Sequence, residues 1–289
     1  MVSEFQGVIT AMATVFDQDD QLDLDAVRKL ARHLVESGSD GLVVAGTTGE
    51  SPTLDDEEKL ALLRTVLDEV GGEATVILGS GSNDTRHSVE LTKAAADAGA
   101  DGGLVVTPYY NRPNAAGLRG HFEAVAEGSP ELPLILYNIP ARVVVNMSPA
   151  FLAELAQIPN VVALKQANDA ELQKIPGLDL LAGNDTAFLD SLKAGGTGGI
   201  LVSAHLVGER MHQIYDLFRA GDVAGAERID SELRPVYEAM AVTVNPIPVK
   251  AALEMAGLCS AHMRLPMVEA TETEKDQIKQ LLASAGVNL

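Results

Sequence analysis

The chain has one cysteine, Cys259, so it can form no internal disulfide. Cys259 follows Gly257-Leu258 at an expected helix end, with no motif around it, and reads as structural. No run of 18 apolar residues is present, and no charged-then-apolar leader opens the chain. The sequence therefore carries no signal for a membrane span or for export, and a reducing, cytoplasmic setting is expected. Basic residues are scarce, 21 against 41 acidic ones, for a formal charge of -20. That balance argues against nucleic acid or an anionic membrane as partner. An anionic substrate must then be drawn in by a local cluster of donors. The six histidines (His33, His87, His121, His205, His212 and His262) show no spacing that fits a ligand set, so no metal is expected. No Gly-x-Gly-x-x-Gly turn follows the first apolar run, and Gly79-Ser80-Gly81 is too short for a dinucleotide fingerprint.

What is present is a strict alternation. Strand-like apolar runs recur at 7–16, 41–47, 75–82, 102–108, 132–140, 161–167, 178–184 and 198–205. Helical periodicity fills the gaps, as in Leu24, Val27, Leu30, Ala31, Leu34 and Val35, then in Leu60, Leu63, Val66, Leu67 and Val70. Caps mark helix starts: Asp55 or Asp56 for the second, Asn83-Asp84 for the third, Ser148-Pro149 for the fifth. Glycines mark helix ends at Gly38, Gly71-Gly72, Gly99 and Gly195-Gly196. Eight strand–helix units predict an α/β fold, a (β/α)8 barrel over 1–221. Pro176-Gly177 predicts a shortened sixth helix. Residues 222–289 carry no strand signal and read as helices near 222–243, 246–257 and 271–285, an appendage outside the barrel.

Barrels of this kind place chemistry at the C-terminal strand ends. Those positions hold Gly46-Thr47-Thr48-Gly49-Glu50-Ser51, Thr107-Pro108-Tyr109-Tyr110-Asn111-Arg112-Pro113, Tyr137-Asn138-Ile139-Pro140-Ala141-Arg142, Lys165, Gly183-Asn184-Asp185 and Gly198-Gly199-Ile200. Lys165 ends an apolar run. Desolvation there disfavours the ammonium and leaves an amine able to form a Schiff base with a carbonyl. A lone strand-end lysine is more often a surface residue with a buried stem. Its company argues otherwise, since three of the five tyrosines also stand at strand ends. The set suits imine chemistry: lysine as nucleophile, tyrosine as proton shuttle, threonine as relay, glycine-flanked amides and Arg142 for carboxylates. Asp185 reads as the N-cap of the seventh helix.

Over essentially its whole length the chain resembles the dihydrodipicolinate synthase family, in the superfamily of pyruvate-dependent class I aldolases. The motifs that carry the likeness are Gly46-Thr-Thr-Gly-Glu-Ser51, Thr107-Pro-Tyr-Tyr-Asn-Arg-Pro113, Tyr137-Asn-Ile-Pro-Ala-Arg142 and Lys165. The resemblance implies that Lys165 forms an imine with pyruvate while Thr48 and nearby amides hold the pyruvate carboxylate. It implies that Tyr137 shuttles protons and that Thr47 links it to Tyr110 of a neighbouring subunit. Ile200 would present its backbone to pyruvate, Gly183 would line the site, and Arg142 would take the carboxylate of aspartate semialdehyde. The implied product is 4-hydroxy-tetrahydrodipicolinate, on the route to diaminopimelate and lysine. The implied assembly is a homotetramer, and no cofactor beyond the lysine imine is implied. Thr47 and Arg142 separate the chain from N-acetylneuraminate lyases, which typically have serine at the first position and an apolar residue at the second, and Arg142 separates it from sugar-acid aldolases, which usually lack that arginine. A barrel that only bound a keto acid would need no proton relay.

The chain departs from the family pattern in places. Val143-Val144 replace Thr-Gly, which is expected to reshape the second-substrate pocket, and Gln166 replaces a common Glu. The family's lysine-feedback site resembles an Asn followed four residues later by Glu, with two histidines after the Gly-Thr-Thr motif. Here Asn83 is followed by His87, and Asp56 and Lys59 stand at the histidine positions. Little or no inhibition by lysine is expected, because an ammonium leaving water needs an anionic or acceptor partner.

Overall fold

The computed structural model describes residues 5–289. Eight parallel strands close in sequence order: β1 (Gly7–Ala11), β2 (Gly41–Val44), β3 (Thr75–Gly79), β4 (Gly102–Val106), β5 (Leu134–Asn138), β6 (Val161–Gln166), β7 (Asp179–Ala182) and β8 (Gly198–Leu201). This is the (β/α)8 barrel that the alternation predicts. The strands are shorter than the apolar runs. At the mouth the chain leaves the ladder while residues such as Met12, Ala13 and Ala45 stay buried. Every strand contributes to a shared interior cluster, through Ile9, Val43, Ile77, Leu104, Ile135, Ala163, Leu181 and Ile200 among others. Closure needs Gly198, where a Cβ would lie 2.2 Å from the Gly7 carbonyl oxygen.

Around the barrel run α1 (Leu24–Glu36), α2 (Asp56–Val70), α3 (Thr85–Asp97), α4 (Ala115–Gly128), α5 (Pro140–Val143), α6 (Pro149–Leu155), α7 (Phe188–Lys193) and α8 (Ala204–Arg219). The periodic stripe of α1 buries Val27, Leu30, Ala31 and Leu34. A capping box of Asp55 and Glu58 starts α2, Asp84 rather than Asn83 caps α3, and Ser148 caps α6. The sixth unit departs from expectation. It keeps no α-helix, only a 3-10 turn at Asp169–Glu171. Leu172, Ile175 and Leu178 cover that side of the sheet instead.

The C-terminal segment forms α9 (Val223–Ala239), α10 (Ile247–Met255) and α11 (Glu272–Ser284). Leu233, Val249 and Leu282 from these helices share one core with Leu30 and Met211 of α1 and α8. The segment is not merely external, because Tyr237, Met240, Asn245 and Pro246 reach cavity walls at the barrel mouth. Among the described residues no helix is long and apolar enough to cross a membrane.

Candidate active site

Two cavities open at the C-terminal strand ends. One, of about 250 Å³, is walled by Thr48, Lys165, Gly183, Asp185 and Tyr237 among others. The other, of about 340 Å³, is walled by Glu50, Tyr109, Val143, Pro246 and Met267 among others. Thr47, Tyr137, Arg142 and Asn245 belong to both walls.

Parallel pairing sets Tyr137 on β5 opposite Lys165 on β6, so one register places both. The Lys165 Nζ lies 4.3 Å from the centre of the Tyr137 ring. Only 5% of Lys165 is exposed. Burial pushes its pKa down to about 7, opposed by the Asp185 charge and reinforced by Arg142. The neutral amine is therefore accessible near neutral pH. Burial pushes the Tyr137 phenol up to about 12, against the lowering effect of a hydrogen bond with Thr47 and of Arg142. The Tyr137 phenol thus stays protonated near neutral pH, beside the Thr47 hydroxyl.

Thr48 is buried, and its Oγ1 accepts a hydrogen bond from Asn245 Nδ2 at 3.1 Å. Gly183 is a glycine for steric reasons: a Cβ would meet the Ala167 Cβ at 2.7 Å and the Gln166 carbonyl oxygen at 2.8 Å. Arg142 is exposed at the rim, where its Nη2 donates to the Asn245 carbonyl oxygen at 3.1 Å. The Ile200 side chain packs inside the barrel, opposite Ile9, and lies in neither cavity wall. Tyr110 is 92% exposed, with φ 69, and also lies in neither wall. One mouth thus gathers Lys165, Tyr137, Thr47, Thr48, Arg142 and Gly183. Ile200 lies beneath them, and Tyr110 projects away.

Asp185 does not cap the seventh helix. A 3-10 turn, Asp185–Ala187, intervenes, and α7 starts at Phe188 with Ala187 as its N-cap. Asp185 sits too early to reach those amides. Its carboxylate instead accepts from Val202 N at 2.8 Å, Ser203 N at 2.9 Å and Ser203 Oγ at 2.6 Å, at the start of α8. Burial raises its pKa despite these three donors.

The departures are accommodated locally. Val144 ends α5 at φ 67, a left-handed conformation that costs a β-branched residue about 1–2 kcal/mol. The turn keeps the shape a glycine would take freely, and Arg142 stays at the rim. Gln166 Oε1 accepts from Asn138 Nδ2 at 3.0 Å and from Asn168 N at 3.0 Å, so a neutral amide satisfies the position. Burial pushes the Cys259 thiol up to about 11, which keeps it from acting as a thiolate. Among the described residues no group of three or more His, Cys, Asp or Glu side chains has the geometry to hold a metal ion.

Sequence reading missed Asn245, Tyr237 and the pair Glu50–Lys250. Lys250 is fully buried, and its Nζ donates to Glu50 Oε1 at 2.6 Å and to the His262 carbonyl oxygen at 2.5 Å. A signal existed: Lys250 interrupts the apolar run from Ile247 to Leu253, and a buried lysine requires a partner. Its partner is the glutamate of the Gly-Thr-Thr-Gly-Glu motif.

A closed parallel barrel whose buried lysine, held near neutrality, faces a tyrosine across one strand pair defines a Schiff-base barrel of the class I aldolase type. The chain belongs to the Dihydrodipicolinate synthetase family, whose model matches residues 4–285. The 4-hydroxy-tetrahydrodipicolinate synthase of Desulforudis audaxviator is 48% identical over 292 residues, covering 99% of each chain. Among solved structures, dihydrodipicolinate synthase of Cyanidioschyzon merolae with lysine bound matches at TM-score 0.95 and 39% identity, covering 99% of this chain and 100% of that one. The chloride-inhibited enzyme of Acinetobacter baumannii, complexed with pyruvate, matches at TM-score 0.94 and 35% identity, covering 98% and 99%.

Proposed function

We propose that this protein condenses pyruvate with L-aspartate 4-semialdehyde to form 4-hydroxy-tetrahydrodipicolinate, on the route to diaminopimelate and lysine. The observation that carries the reading is the buried Lys165 beside Tyr137, with Arg142 at the rim. Lys165 attacks the keto carbon of pyruvate, and water leaves to give the imine. Loss of a methyl proton gives the enamine, with Tyr137 and Thr47 moving protons. The enamine carbon attacks the aldehyde. The substrate amine then adds to the imine carbon, closes the ring and releases Lys165. Thr48 holds the pyruvate carboxylate, with the Gly183 and Ile200 backbones alongside. Past Arg142 the wall combines Val143, Pro246, Pro266 and Met267 with the polar Ser51, Thr53 and Tyr109. The covalent group is the protein's own lysine, so the reaction as written requires no cofactor, and a biosynthetic role accompanies a cytoplasmic location. A coupled assay with pyruvate and aspartate semialdehyde, beside a panel of keto-deoxy sugar acids, tests the reading. Turnover of a sugar acid with none of the semialdehyde overturns it.

Arg142→Ala is expected to spare imine formation with pyruvate and raise KM for the semialdehyde. Losing a charge-assisted carboxylate clamp costs about 1.5–3 kcal/mol, roughly 10- to 100-fold. An unchanged KM would remove Arg142 from the substrate site.

The proposed assembly is a homotetramer in which the exposed Tyr110 completes a neighbour's relay. Mixing Tyr110→Phe with Lys165→Ala subunits, each inactive alone, is expected to restore part of the activity after exchange. A fully active monomer in sedimentation would contradict it.

Little or no feedback by lysine is expected. His87 Nε2 lies 2.8 and 2.9 Å from the two Asp56 oxygens, and Lys59 Nζ lies 3.4 Å from Oδ1. The anion that an incoming ammonium would need is already shared by two groups. Millimolar lysine should leave the steady-state rate unchanged and give no calorimetric binding signal. Cooperative inhibition would mean that other residues form a regulatory site.

A further inference from the structure

We infer that Asn245 is a positioning residue for the keto acid: its amide occupies the acceptor side of the Thr48 hydroxyl and leaves the hydroxyl proton for the substrate carboxylate. The inference deepens the imine reading above and rests on it. A threonine hydroxyl has one O–H donor and two acceptor lone pairs. A carboxylate accepts only, so Thr48 helps bind one only if its proton points into the cavity. Asn245 Nδ2 donates to Thr48 Oγ1 at 3.1 Å, across 197 residues of chain. Both residues wall the cavity that holds Lys165. The neighbouring hydroxyl of Thr47 is engaged with Tyr137. The two threonines of the motif thereby divide the work, Thr47 on the proton relay and Thr48 on the carboxylate.

The backbone that carries the donor is anchored at the rim. The Asn245 carbonyl oxygen accepts from Arg142 Nη2 at 3.1 Å, so one residue touches the groups assigned to both substrate carboxylates. Its side-chain Oδ1 is buried with no partner among the described residues. Five positions on, the fully buried Lys250 grips Glu50, two residues past Thr48. The C-terminal segment is therefore tied to the Gly-Thr-Thr-Gly-Glu motif at both 48 and 50.

A double-mutant cycle of Asn245→Ala and Thr48→Val tests this, read as the pyruvate concentration that half-saturates borohydride capture. Asn245→Ala is expected to raise that concentration on the order of tenfold with the final yield of captured protein retained. In the Thr48→Val background the same change should add no more than about twofold. Asn245→Asp keeps the shape but turns the partner into an acceptor, which draws the Thr48 proton away from the cavity, so it should be worse than Asn245→Ala. Independent, multiplying losses would show that Asn245 serves only the fold and would overturn the inference. If Asn245→Ala does not fold, the near-isosteric Asn245→Asp decides alone, since wild-type half-saturation in that variant also overturns it. Failure of the wild-type protein to capture pyruvate on Lys165 would sink the imine reading itself. Normal wild-type capture with independent losses would sink only the role of Asn245.

Discussion

Lys165→Met is expected to lose turnover by on the order of 10⁴-fold or more, the scale seen when a covalent nucleophile is removed. Methionine has nearly the length of lysine and no charge to desolvate, so the buried position accepts it without a folding penalty. Borohydride with pyruvate should inactivate the wild-type protein and add one reduced pyruvate, located at Lys165 by peptide mass. The variant should gain none. Capture should accelerate as pH rises through about 7, because the amine becomes neutral above its lowered pKa. Label on another lysine, or a variant that still turns over, would overturn the imine mechanism.

Acid is expected to weaken the fold steeply between pH 6.5 and 4. His121 and His205 are buried, and burial pushes both pKa values down from 6.5 to about 4. His205 Nε2 accepts from Ala13 N at 3.1 Å, and its Nδ1 pairs with the Val202 carbonyl oxygen at 2.8 Å. The ring, at the start of α8, therefore ties the segment after β1 to the segment after β8 in the neutral form with the proton on Nδ1. Unfolding lets both rings take a proton near pH 6.5, whereas the folded chain resists until about 4. Their contribution is thus fully present above pH 6.5 and is lost as pH falls through about 4. The slope is about 1.4 kcal/mol per pH unit for each ring. Urea unfolding at stepped pH should show it, and His205→Gln should reduce the slope by about half, with His121 left in place. An equal slope in that variant would remove His205 from the acid sensitivity.

The site was half legible before any coordinates. Lys165, Tyr137, Thr47, Thr48, Gly183 and Arg142 all lie in motifs at predicted strand ends, and a parallel barrel brings its strand ends together whatever its exact packing. Asp185 was misread because a capping residue and a residue three positions ahead of a helix look alike in sequence. The missing sixth helix was only partly foreseen, since Pro176-Gly177 shortens a helix on paper without showing that Leu172, Ile175 and Leu178 can replace it.

By itself the sequence determined the barrel and the chemistry it carries. Continuous apolar runs, a helical period of 3.6, capping residues and helix-ending glycines are local properties, and eight repetitions of them leave little choice of fold. Only the tertiary structure decided which distant groups meet the strand-end motifs. Asn245 reaches Thr48 and Lys250 reaches Glu50 across about two hundred residues. Asp185 turns to α8, while Tyr110 faces outward from the barrel mouth. Such pairings arise where the C-terminal helices settle over a closed sheet. They depend on shape and desolvation at a contact between remote segments, for which no local pattern exists.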